Sequence, residues 1–468
     1  MKISVKTFEF RVFPMETRFP FQYGIASMTE LPHLFVRVNL EVGGTVATGI
    51  ASEGLPPKWF TKSPDTIFEQ DLPAMREMID HAAEIATGFS GESFFDTWQH
   101  LYREQAKWAT LKGHPPLLAN LGVSLVERAL LDGFCRAVER PFSDALRSND
   151  FEIRAEEVDP VLAGFSPADL LPEKPLSKVI ARHTIGLGDP LTDADVEEPL
   201  GDGLPHSLEQ SVRSYGLRYF KIKICGDMER DLDRLAKIRE VLNRETNGDY
   251  RATFDGNEQF KDMDSFREHW EKYGEDSAVS SLLDHIIFVE QPVHRDHALD
   301  KGVIASLKRW EKKPPLIIDE SDSEMCSCPR ALELGYNGTS HKNCKGVLKG
   351  AINAMRLEQR RREGGEWILS GEDLANVGPV ALLQDLAVMA SLGVTHVERN
   401  GHHYFQGLSA FPAEMQEGVL TNHSDLYRRH EQGFPTLEIA GGELHVGSVV
   451  NAPFGVGWMP DVSGFDAW

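Results

Sequence analysis

Two lysines and three carboxylates stand out by type and spacing. Lys221 and Lys223 lie two apart in the segment YFKIKI (219–224). Three later apolar segments each end in an acid: RATFDGN (251–257) in Asp255, IIFVEQP (286–292) in Glu290 and PLIIDES (315–321) in Asp319. Side chains alternate along a strand, so the lysines share one face while Phe220, Ile222 and Ile224 share the other. Parallel strands joined by helices gather residues at their carboxyl ends into one mouth, where barrel enzymes keep their active sites. Three converging carboxylates repel one another unless a hard cation neutralises them, and an all-oxygen set points to Mg²⁺. Lysines facing that ion could move protons on a substrate it polarises. Such a set predicts an enzyme.

The elements that must position this set read clearly. Residues up to about 45 alternate as strands, VKTFEFRVF and then HLFVRVNLEV, before a turn at Gly43-Gly44. Helical spacing follows in IFEQDLPAMREMIDHAAEIATGF and LANLGVSLVERALLDGFCRAV. This predicts an α+β domain over 1–147 and a connection over 148–178. From Val179 eight strand-like segments alternate with helices, among them GTSHKNC, WILSGED and THVERNG, which predicts a closed parallel barrel over 179–420. In the helix from Met228, Leu232, Leu235, Ile238, Val241 and Leu242 form one apolar stripe. A tail of hairpin and loop occupies 421–468.

Composition narrows the class. The chain has 468 residues, 41% hydrophobic and 26% charged, enough for two domains. Its net charge is −23, so nucleic acid and anionic membrane surfaces are not expected partners. No stretch is apolar for long enough to span a bilayer, and the amino terminus lacks a signal-peptide core. Five cysteines read as reduced thiols, so a cytoplasmic location is expected; Cys326-Ser-Cys328 has no second pair at zinc spacing. The run Ile185-Gly-Leu-Gly188 lacks the third glycine and the helix of a nucleotide loop.

With Lys221-Ile222-Lys223, Asp255, Glu290 and Asp319-Glu320-Ser321 on consecutive strands, the chain resembles the enolase superfamily, in its mandelate racemase and muconate lactonizing enzyme branch. The resemblance spans nearly the whole chain. It implies an α/β fold: a modified TIM barrel, (β/α)7β-like, with an N-terminal α+β capping domain that the C-terminal tail completes by packing back on it. Asp255, Glu290 and Asp319 would be ligands of one Mg²⁺ per subunit. Lys223 would be a general base and Lys221 a cationic neighbour that lowers its pKa. On the sixth strand Lys342 matches a lysine on the opposite face of the substrate and Lys345 a second one. His341 stands there in place of an aliphatic residue, and a single Gly346 replaces a glycine pair. Segments 18–24 and 54–60 match two mobile specificity loops and offer Tyr23 and Trp59 as substrate contacts.

Each residue has a plainer reading. A carboxylate at a strand end is usually solvated or caps a helix; the set of three favours metal. Asn257 and Glu320 are expected to hydrogen-bond the ligands or to serve structure alone. Glu372, Asp373, His402, His403 and Tyr404 are polar candidates on the last two strands, with Asp373 and His402 as substrate contacts and His402 at even odds with a structural role. The expected chemistry is abstraction of the proton α to a carboxylate through a metal-stabilised enediolate, as in a racemase, epimerase or cycloisomerase. Alternatives are dehydration of an acid sugar on the same site, a Schiff-base aldolase using Lys223 or Lys342, and a barrel without catalysis. The expected partner is a small-molecule carboxylate, and the expected assembly a homo-oligomer.

Overall fold

The computed structural model describes residues 1–468. Five strands form the cap sheet, four of them in the order Asp466–Ala467, Ile3–Phe13, His33–Val42 and Thr45–Gly54 and the fifth, Ser90–Gly91, beside Ile3–Phe13, all antiparallel. Gly43 and Gly44 make the turn between the last two, with φ of 55° and 93°, backbone that glycine adopts without strain. Three long helices, Phe68–Ala86, Phe94–Lys112 and Pro116–Ala137, pack beside this sheet. The third is apolar around most of its circumference and is buried from Leu117 to Cys135. It lies so close to the sheet that a Cβ on Gly49 would stand 2.0 Å from the Ala129 carbonyl oxygen. The same helix reaches the barrel, where its Glu127 accepts hydrogen bonds from the backbone N–H groups of Val347 and Leu348 at the start of helix Val347–Glu363.

The barrel has eight parallel strands: Lys178–Ile185, Tyr219–Lys223, Arg251–Asp255, Ile286–Glu290, Leu316–Ile318, Gly338–His341, Ile368–Gly371 and His396–Arg399. The eighth pairs with the first and closes the ring. All eight are the segments expected from sequence. Their outward side chains (Phe220, Ile222, Phe254) pack under the helices in one continuous core. The tail packs back on the cap and also joins the barrel. Strand Glu443–His445 pairs with the first barrel strand, and only Asp466–Ala467 joins the cap sheet, so the tail serves both parts. All five cysteines are free thiols. No helix is long and apolar enough to cross a membrane.

Candidate active site

Strand register assembles the site. Lys223 lies beside Asp255, which lies beside Glu290, on three adjacent strands in register. Asp319 follows the fifth strand directly and Lys342 the sixth. These two strands are short because the chain turns away from the sheet just where the charged residues begin.

At the centre lies Lys221. Its Nζ is 2.9 Å from Asp255, 2.8 Å from Glu290, 2.7 Å from Glu372 and 3.1 Å from Glu398. Those partners come from the third, fourth, seventh and eighth strands, so one ammonium group holds both halves of the barrel mouth. Burial alone would push its pKa down, but the four carboxylates outweigh it and hold it well above the ordinary lysine value. Lys221 therefore serves as a fixed positive charge. Lys223, one turn of the alternation higher, donates to Asp255 Oδ2 at 2.6 Å. Across the mouth Lys342 donates to Asp319 Oδ2 and stands 3.8 Å from Glu290. Burial again opposes its charge, and Asp319 and Glu290 more than offset it, raising its pKa. Lys345 donates to Asp319 Oδ1 at 3.0 Å and to the Ser340 carbonyl oxygen at 2.9 Å.

The replacement of an aliphatic residue by His341 does not shift the strand. Ser340 and Lys342 both reach Asp319, so both point inward, and His341 points outward. Its ring fits because Gly350 faces it; a Cβ there would stand 2.1 Å from His341 Nδ1. Burial holds the ring neutral, its pKa pushed down to about 4.

The carboxylates respond to this crowding in opposite ways. Burial would raise Asp255 and Asp319, but the lysines at each outweigh it and hold both below the ordinary carboxylate range. Glu290 is pushed up, by burial first and then by repulsion from Glu372, Asp255 and Asp319. Both of its oxygens are buried without a hydrogen bond; Lys221 is near but not aligned to donate. No three acidic, cysteine or histidine side chains form a ready cage around one centre, because ammonium groups stand between the carboxylates. The donor set itself fits a hard divalent cation. It is all oxygen, its members are linked pairwise by shared lysines, and its central member, Glu290, accepts no hydrogen bond.

Over the lysines lies a narrow cavity of about 30 Å³. Its barrel side carries Lys221, Lys223, Lys342, Asp255, Asn257, Asp373, Glu398 and Asn400; its cap side carries Phe21, Tyr23, Met28, Pro56 and Trp59. The Trp59 ring stands over Lys342, 4.6 Å from Nζ. Tyr23 and Phe21 sit on a hairpin, Glu16–Tyr23 with Ala26–Glu30, where sequence suggested a loop. The Trp59 segment is fixed rather than loose. At its start the Glu53 carboxylate meets Arg128 at 2.7 Å, and the Gly54 N–H donates to Asn376 Oδ1. At its end Arg295 donates to the carbonyl oxygens of Trp59 and Phe60 at 2.9 and 2.8 Å and pairs with Glu258 at 2.7 Å. Lys62 adds bonds to the Asn257 carbonyl oxygen and to Glu258. Asn257 and Glu258 both adopt positive φ, 38° and 64°, a conformation these bonds must hold in place.

The remaining expected residues divide. The Asn257 N–H donates to Asp255 Oδ1 and its Nδ2 to Glu320. Glu320, buried beside Asp319, is raised to about 7 by desolvation and by neighbouring carboxylates. Asp373 lines the cavity, with both oxygens taken by backbone N–H groups of Asn376 and Asn400. His402 is corrected: it does not line the cavity. It packs behind the first barrel strand, with His183 Nδ1 3.0 Å from its Nε2 and Tyr215 edge-on. Burial, aided by His183, holds its pKa well below the ordinary value. Sequence reasoning missed Glu398, Asn400 and Arg295. The alternation that paired Lys221 with Lys223 also pairs Glu398 with Asn400.

This architecture, a capped eight-stranded barrel with charged groups at its strand ends, is the fold of the enolase superfamily, and solved structures of those enzymes superpose on it along nearly their whole length. A mandelate racemase/muconate lactonizing enzyme from Bordetella bronchiseptica RB50 matches with a TM-score of 0.61 at 14% identity, over 99% of this chain and 98% of its own. An enolase from Bradyrhizobium complexed with magnesium and mandelic acid gives 0.58 at 13%, over 95% and 93%. A dipeptide epimerase from Enterococcus faecalis V583, complexed with Mg and the dipeptide L-Leu-L-Tyr, gives 0.56 at 17%, over 86% and 92%. No family model matches the sequence. No curated protein matches it either.

Proposed function

We propose that the protein is a Mg²⁺-dependent enzyme that removes the proton α to the carboxylate of a small molecule, as in racemisation, epimerisation or cycloisomerisation. The carrying observation is the placement of Lys223 and Lys342. They follow the second and sixth of eight strands, so they face one another across the cavity with Asp255, Glu290 and Asp319 between them. Asp255, Glu290 and Asp319 would hold the ion, which supplies positive charge where the enediolate develops. Oxygens engaged in ligation would be less available to the lysines, so one of Lys223 and Lys342 could act as base while the other returns a proton. Lys221, buried among four carboxylates, stays charged and fixes the strand ends. Trp59 and Phe21 exclude water from above. Enzymes with this fold in complex with magnesium support the reading. Dehydration on the same site would have to draw its acid from a lysine, since His402 lies behind the barrel wall.

Isotope exchange tests the reading. With a chiral carboxylate substrate in D₂O and Mg²⁺, the wild type should exchange the α-proton of both enantiomers. Lys223→Ala should abolish exchange from one enantiomer and Lys342→Ala from the other, each loss being roughly 10²-fold or more. Equal, small losses in both variants would rule out the two-lysine arrangement, and Mg²⁺-independent exchange would rule out the metal.

A further inference from the structure

Helix Pro116–Ala137 belongs to the cap, yet one face of it carries three buried polar residues that reach into the barrel. Asn120, Ser124 and Glu127 stand at i, i+4 and i+7, and each is 5% exposed or less. Asn120 Nδ2 donates to the Ser323 carbonyl oxygen, in the loop that follows Asp319. Ser124 Oγ donates to the Asn343 carbonyl oxygen, one residue past Lys342. Glu127 accepts from the N–H groups of Val347 and Leu348 at 2.9 and 2.7 Å. The helix is itself fixed within the cap. A Cβ on Gly122 would stand 2.3 Å from the Met78 carbonyl oxygen, and one on Gly133 2.3 Å from a methyl group of Leu40.

The segment it grips carries Lys342. Asn343–Lys345 form one short turn between the sixth strand and helix Val347–Glu363. Gly346 follows with φ of 106°, which suits glycine, but it gives the helix no side chain to cap its own N-terminus. Glu127 supplies that cap from the other domain. An apolar residue at 127 would leave both N–H groups buried and unpaired, so packing alone cannot replace it. On the barrel side the same turn is tied by Lys345, whose ammonium meets Asp319 and the Ser340 carbonyl oxygen. Lys342 thus stands between two anchors, one in each domain. None of the three helix residues bonds to the strand of Lys223, whose ammonium is held within the barrel by Asp255.

We propose that Glu127 is a positioning residue for Lys342, with Ser124 as a second tie: the cap helix sets where the sixth-strand lysine stands and leaves the second-strand lysine to the barrel. The catalytic use of that placement rests on the two-lysine reading above. A shift of the cap then alters one face of the ligand site and spares the other.

Acetic anhydride labels unprotonated amines. The ratio of acetylated Lys342 to acetylated Lys223, read by peptide mass spectrometry, compares the two sites within one molecule. The full chain is labelled without Mg²⁺ or substrate. Once its segment loosens, Lys342 leaves Asp319 and meets the reagent more often. Glu127→Ala removes both acceptor oxygens and should raise the ratio about tenfold over wild type. Glu127→Gln keeps one acceptor oxygen and should raise it about threefold; it carries the test if the alanine variant fails to fold. Ser124→Ala should also raise it about threefold. A role in stability alone would loosen both lysines together and leave the ratio flat. A flat ratio in Glu127→Gln and Ser124→Ala therefore overturns the assignment. Labelling is independent of the isotope-exchange test, so the two can fail separately. Undiminished exchange from both enantiomers in Lys342→Ala would overturn the catalytic use of Lys342, whatever the labelling ratio.

Discussion

On the barrel side of the cavity Lys221 alone meets four carboxylates, and almost every ionised group has a counter-charge within 3.1 Å. On the cap side the lining is aromatic rings, a thioether and a proline, held by bonds made outside the cavity. The two surfaces enclose the same space by opposite means. Below, buried charges fix one another, and changing one disturbs the rest. Above, buried apolar side chains pack without charge while bonds made outside the cavity tie their backbone. Paired charges therefore organise the floor and apolar packing the roof.

The sharpest way to break this contrast is Glu290→Gln. Glu290 is buried, repelled by three carboxylates and accepts no hydrogen bond, with Lys221 2.8 Å away as its counter-charge. Its amide should lower exchange by about 10³-fold or more while stability stays level or rises by about 1 kcal/mol. Exchange kinetics beside a denaturant titration check both; a strongly destabilised variant would make Glu290 a structural residue. Arg295→Ala comes next and probes the ties of the roof. It strips Glu258 of its bidentate partner and frees the Trp59 and Phe60 carbonyl oxygens. About 3 kcal/mol of stability should be lost, as when one partner of a buried pair is removed. KM should rise about tenfold with kcat changed less, as expected when ground-state and transition-state binding fall together. A fall in kcat alone would mean that the roof takes part in chemistry.

The smallest effect is acid sensitivity that belongs to neither surface. Burial holds His33 down to about 4 and His183 and His396 to about 3. Unfolded histidine titrates near ~6.5, so below that pH the unfolded chain binds protons that the folded one refuses. Their contribution is complete above ~6.5 and is lost progressively as pH falls from there toward ~3. Melting temperature followed from pH 7.5 to 4.5 should decline, and His183→Gln should flatten the decline; a flat wild-type profile would contradict the buried neutral state.

The floor was legible in sequence because its signal is local. Lys221, Lys223, Asp255, Glu290 and Asp319 each follow an apolar strand within a few residues, and alternation assigns their side without knowledge of neighbours. Roof and eighth strand were less legible for two reasons. Trp59 and Tyr23 owe their positions to contacts between residues far apart in the chain, such as Arg295 with the Trp59 carbonyl oxygen. After Asn400 the chain leaves the strand for the short helix Gly401–Tyr404, which turns His402 behind the wall when simple alternation would have sent it inward. The resemblance implies a loop at 18–24, where the structure has a hairpin with irregular pairing between Glu16 and Phe21.

The pairing of Asp466–Ala467 with Arg11–Val12 bears on how the molecule is made. A ribosome delivers the first strand some 450 residues before the strand that covers part of its edge. During that interval residues 88–91 shield that side only at Ile3, Ser4 and Val5. A nascent cap therefore waits with a bare stretch of backbone donors and acceptors, the kind of edge that pairs with other chains. Synthesis rate and chaperone supply, rather than the stability of the finished protein, should govern how much of it reaches the native state.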